Sequence, residues 1–128
     1  MNFNKRLLTM AAAAVLAAGF AHAGARFDNP VSIDTVIRGA SGALGSARNS
    51  PDGVQYIACV YHAFGLPEAQ CVARNAAGLT RSCLTSNPAH LAAIAAINDD
   101  KSITFTWDES GLCTGVHIFA DSRIAPKR

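Results

Sequence analysis

Three cysteines at equal intervals constrain this chain more than any other feature. Cys59, Cys71 and Cys83 stand twelve residues apart, and Cys113 follows thirty residues later. Twelve is a return distance for antiparallel strands. Residues 54–64 (VQYIACVYHAF) are rich in β-branched and aromatic side chains, and GLPE after them is a turn signal. Residues 69–75 read as a second strand, Ala76-Ala77-Gly78 as a turn, and residues 79–85 as a third strand. A hairpin centred on Gly65 sets Cys59 opposite Cys71, and one centred on Ala77 sets Cys71 opposite Cys83. Opposed residues on neighbouring strands lie about 4.5–5.5 Å apart at Cα, within disulfide reach. Cys59 and Cys83 would be two strands apart, roughly 10 Å, which disfavours that pair. Two pairings then stand: Cys59–Cys71 with Cys83–Cys113, or Cys71–Cys83 with Cys59–Cys113. The first is preferred, because Cys113 follows Cys83 in chain order and an intervening helix can return the chain beside the third strand. A structural zinc knuckle or a thioredoxin-like centre would need cysteines two residues apart, and none are.

Disulfides need an oxidising compartment, and the N-terminus points to one. The chain opens MNFNKRLLTMAAAAVLAAGFAHAGARFDNP. Lys5 and Arg6 form a positive n-region, residues 7–20 a fourteen-residue weakly polar to apolar run, and Ala21-His22-Ala23 a small-x-small cleavage pattern. The run is shorter than the roughly twenty residues a bilayer span requires. We therefore expect residues 1–23 to be a signal peptide of bacterial type, cut between Ala23 and Gly24. Cleavage removes 23 of 128 residues and leaves 105, a single small secreted globular domain over residues 24–128. No integral membrane segment is expected in it. No cysteine lies near the cut, so the mature N-terminus is not lipidated. Lys5 and Arg6 leave with the signal, so nine basic residues remain against nine acidic ones. The arginines are scattered singly and only Lys127-Arg128 form a basic pair, which argues against a nucleic-acid partner. A domain this small buries a modest core, and exported domains of this size add disulfides to compensate.

The rest of the chain gives an α+β outline. Residues 31–38 alternate apolar and polar side chains as a half-buried strand does. Residues 39–46 (GASGALGS) are small, which suits close backbone packing against a sheet. Asn87 and Pro88 begin a helix as N-cap and first helical residue, with Leu91, Ile94 and Ile97 along one side. Residues 101–107 (KSITFTW) alternate strictly, with Ile103, Phe105 and Trp107 on one face and Ser102, Thr104 and Thr106 on the other. Residues 108–111 (DESG) turn the chain and residues 112–120 return. The expected fold is an antiparallel sheet of five or six strands, built as a meander with hairpins. One helix packs on one face, and two disulfides staple it.

Residues with chemical capacity are few. His62 and His117 are weak candidates for a metal or catalytic site, since no ligand spacing such as H-x-x-x-H supports them. His90 reads as an ordinary helix histidine. Ser41, Ser46 and Ser50 lie among glycines, but G-x-S-x-G is absent. Gly39, Gly42 and Gly45 match neither a dinucleotide fingerprint nor a P-loop. Tyr56, Tyr61 and Trp107 are candidates for a carbohydrate or peptide surface, although aromatics at strand spacing are mostly core. Most carboxylates sit at turns, at Asp52, Glu68, Asp99, Asp100, Asp108 and Glu109, away from any shared cleft. No catalytic residue, cofactor or metal is expected.

The runs ARNSPDGVQYIACVYH, CVARNAAG, SNPAHLAAI and FTWDESGLCT resemble those of a group of small, uncharacterised secreted bacterial proteins with two disulfides. The likeness covers most of the mature chain, from about Val31 onward. It implies export and the disulfides, and carries over no activity. Two function classes follow. The first is a non-enzymatic module, exported to the periplasm or the medium, that binds a protein or envelope partner. The second is a small secreted hydrolase or hydrolase inhibitor, whose exposed loop would be residues 65–68 or 108–111. A cleft joining His62 or His117 to an acid and a serine favours the enzyme. A flat apolar patch without such a cleft favours the binder.

Overall fold

The computed structural model describes residues 24–124 and 126; the expected signal segment, including Ala23, and the pair Lys127-Arg128 lie outside the described residues. Among the described residues the chain runs β1 (Ser32–Asp34), β2 (Gly39–Ala43), α1 (Leu44–Arg48), β3 (Tyr56–His62), β4 (Glu68–Arg74), β5 (Thr80–Thr85), α2 (Pro88–Ala95), β6 (Lys101–Trp107) and β7 (Cys113–Ala120). The class is α+β with every strand pair antiparallel. No helix among the described residues is long and apolar enough to cross a membrane.

The cysteine interval sets one half of the molecule. Cys59 lies opposite Cys71 and Cys71 opposite Cys83 in a β3-β4-β5 meander. Gly65 and Gly78 take the left-handed conformation in its two turns, at φ 75° and 82°. The bonds join Cys59 to Cys71 and Cys83 to Cys113, with Cα atoms 4.0 and 5.0 Å apart, and no described cysteine is free.

In place of the expected single sheet of five or six strands with one helix, the described residues form two sheets, β1-β2-β6-β7 and β3-β4-β5, and two short helices. β5 and β6 do not form a ladder. The small sheet is tied to the large one instead through Leu84 N–H, which donates to Gly111 O at 3.0 Å, and through Cys83–Cys113, which joins β5 to β7. β6 pairs with β2, a strand of glycine, alanine and serine whose weak intrinsic preference conceals it in the sequence. Its small residues let other segments come close. A Cβ on Gly42 would stand 3.1 Å from Val31 Cγ2 and 3.5 Å from Ile57 Cγ2. The strand expected over residues 31–38 ends at Asp34, because Asp34 Oδ1 accepts from the N–H groups of Val36 and Ile37 at 2.8 and 3.0 Å. That Asx turn and Arg38, left-handed at φ 52°, fold the chain back into β2.

The core fills the space between the sheets. Ile103 and Phe105 of β6 are fully buried and meet Ile57, Ala69, Cys71, Ala73 and Cys83 of the small sheet, with Ile94 from α2. Asn87 caps α2 by accepting from Ala89 N–H at 2.9 Å. The opposite face of β6 is half-wet at Thr104 and Thr106 but buried at Ser102. There the segment at Asn29 crosses the sheet: Asn29 Nδ2 donates to Ser102 Oγ, which donates to Gly42 O.

Candidate functional site

The two histidines are placed apart. His62 ends β3 in the small sheet, exposed and opposite Glu68. His117 lies in the middle of β7 in the large sheet, exposed and opposite Thr104. His90 Nδ1 sits 2.9 Å from Thr85 Oγ1, an ordinary local bond. Among the described residues no group of three or more His, Cys, Asp and Glu could hold a metal ion. The serines also separate: Ser41 lies within β2, Ser46 accepts from Asn29 N–H, and Ser50 donates to Ala47 O. Among the described residues none of the three hydrogen-bonds to a histidine, the partner a serine nucleophile commonly uses as its base.

The carboxylates shape turns. Asp52 is held down to about 2 by the side chain and N–H of Gln55 and the N–H of Val54. Asp121 is held down to about 2 by the guanidinium and N–H of Arg123. Asp108 is lowered by the Ser110 hydroxyl and then the Leu112 N–H. A general acid or base working near neutral pH needs a shift toward neutrality, and these three move away from it.

Tyr56 and Tyr61 lie on opposite faces of β3, since an odd separation on a strand reverses the face. Trp107 belongs to the other sheet and packs on the core. The three aromatics therefore form no common platform.

The outer face of the small sheet carries the chain's clearest surface. Val60, Gln70 and Leu84 form one row across β3, β4 and β5, and Leu112 continues it through a parallel bridge to Leu84. Val60, Leu84 and Leu112 are exposed, and Val72 lies in the next row. Beyond the row the β3–β4 turn projects Phe64, 93% exposed, and Leu66, 87% exposed. Gln70 interrupts the row between Val60 and Leu84, and the His62–Glu68 pair stands between the row and the turn, so the face presents separate exposed apolar side chains, the two at the turn being the most exposed. His62, Glu68 and Arg74 on the same face give it a polar border. Residues 54–64 read as one strand in the sequence, whereas β3 ends at His62 and Phe64 belongs to the turn. The signal was there: an apolar residue on each side of a turn glycine has no core to enter.

Two open hollows of about 340 Å³ flank Ser50 and Gln55, one beside α1 and the other beside Phe27 and Arg123. Their shared polar groups are tied to one another, Gln55 and Ser50 both bonding Asp52. Comparison with protein-family models, with curated proteins and with solved structures finds no match to this chain.

Proposed function

We propose that this chain is an exported, disulfide-stapled, non-enzymatic module that binds a protein partner through the outer face of its small sheet. Export rests on the N-terminal pattern, with cleavage between Ala23 and Gly24. Two disulfides and the likeness to small secreted bacterial proteins support an oxidising destination, the periplasm or the medium. The observation that carries the binding reading is the pair Phe64 and Leu66, two large apolar side chains held almost fully exposed on either side of Gly65 in the β3–β4 turn. Burying one such side chain contributes about 1.5–3 kcal/mol, so the two tips give a partner a substantial anchor.

The test uses the mature protein, cross-linked under native conditions in the exported fraction. One specific adduct is expected, and its yield should fall at least about tenfold in Phe64→Ser/Leu66→Ser. Equal yield from wild type and variant would remove this surface from the function. An inhibitor of a secreted hydrolase is the second reading. The same tip favours it, because Gly65 lies at the middle of the twelve-residue span that Cys59–Cys71 closes. Inhibition of a protease panel by wild type and not by the variant would select it.

A further inference from the structure

We propose that the outer face of the four-stranded sheet holds one ring of a neutral saccharide in the hollow between Phe27 and Phe119. This surface is separate from the one assigned above to a protein partner. The hollow is open to solvent and measures about 240 Å³, below the usual range for ligand pockets of about 300–1,000 Å³, which limits it to one small unit such as a single sugar ring. Phe27 and Phe119 line it, each about half exposed, and the Phe119 ring stacks on His117 at 6.4 Å between centroids. Its floor is Ser41 and Thr104, directly opposed on the two central strands. Neither hydroxyl makes a hydrogen bond among the described residues, so both have capacity for a ligand.

The rim is polar and fixed in position. Asn29 is held by Ser102 and by the Ala43 N–H that its carbonyl accepts at 2.9 Å. Asp121 is held by the guanidinium of Arg123, which also lies 5.8 Å from the centroid of the Phe27 ring. Preorganised groups bind with less ordering cost. Charge selects the ligand class. The only carboxylate of the lining carries its own cation, so neither an anionic nor a cationic ligand finds an unpaired partner there. Apolar rings, free hydroxyls, an amide and a neutralised carboxylate suit a molecule with C–H faces and many hydroxyls. The floor also extends past the hollow: Ser32, Ser41, Thr104 and His117 form one row across all four strands. A second sugar unit would find hydrogen-bonding groups there, so a disaccharide should bind more tightly than its monosaccharide.

Cellobiose, maltose and the N-acetylglucosamine disaccharide, titrated into the ¹⁵N-labelled mature protein, test this. At least one should shift the amides of Ser41, Thr104 and Phe119 with a dissociation constant of about a millimolar. Phe119→Ala and Thr104→Val should each weaken binding about tenfold. Phe64→Ser/Leu66→Ser should leave it unchanged, which separates this site from the protein surface. Phe119 is half exposed, so its removal spares the core, and native Trp107 fluorescence checks that. No shift of those amides with any of the three sugars at about 10 mM, or equal shifts in Phe119→Ala, would overturn the proposal.

Discussion

The two sheets line their shared core with different materials. In the four-stranded sheet Ile103 and Phe105 are wholly buried, with Ile33, Val116 and Ile118 packed around them. In the three-stranded sheet the inward positions of β4 and β5 are Ala69, Cys71, Ala73, Cys83 and Thr85, and Ile57 of β3 is the one large aliphatic residue buried there. Alanine and cysteine bring little apolar volume. The large sheet is therefore held mainly by burial. The small sheet, poor in apolar volume, is where covalent bonds are placed: one lies inside it and the other fastens it to β7. In a domain of this size, disulfides sit where packing runs short.

This contrast can be broken first at Phe105. Phe105→Ala should destabilise by about 3–5 kcal/mol, read from denaturant unfolding followed by circular dichroism. A loss below about 1 kcal/mol would mean that burial is not what holds the large sheet. The disulfides come next. The loops they close are 30 and 12 residues long, so Cys83→Ser/Cys113→Ser should cost about 3.6 kcal/mol and Cys59→Ser/Cys71→Ser about 2.8 kcal/mol on the chain-entropy account. Reduction should also speed hydrogen exchange in β3 to β5 more than at Ile103 and Phe105. Uniform acceleration would show that the two sheets form one cooperative unit. The smallest effect is acid sensitivity. Asp52 leads into β3, and Asp121 holds the chain end beside the large sheet. Both carboxyls are held down to about 2 in the folded protein, below the ordinary aspartate value of about 3.9. A lowered folded value gives stability that is present above about pH 4 and lost as pH falls toward 2. Asp52→Asn and Asp121→Asn should each flatten the stability profile within that window, and an unchanged profile would show that these carboxyls do not set it.

The difference between the sheets also explains which parts could be read in the sequence. The small sheet advertises its register, because equal cysteine intervals fix the hairpin centres at Gly65 and Ala77. The β6–β7 hairpin is legible from KSITFTW and its DESG turn, and α2 from Asn87-Pro88. β2 is not legible: GASGA has neither β-branched residues nor alternation, and its strand state comes from close packing under Val31 and Ile57. α1 is hidden for a similar reason, as its five residues carry no side-chain cap bond. The division into two sheets depends on β6 choosing β2 over β5, a long-range choice no local pattern encodes. The surfaces were the least legible. Phe64 and Leu66 look like strand and turn residues in sequence, and Phe27 and Phe119 line one hollow only because the segment at Phe27 lies beside the one at Arg123 and Ile124.

That proximity bears on how the chain is threaded. Phe27 N–H donates to Arg123 O at 2.9 Å, and Phe27 bridges Ile124 in parallel. The path between them is nearly a closed ring, so its packing has no natural first residue. A short linker from residue 26 to residue 126, with a cut at Gly65, would keep both sheets and both disulfides while moving the ends to the exposed tip. By the same geometry the domain can sit as an insert in a surface loop of another protein, its two attachment points side by side.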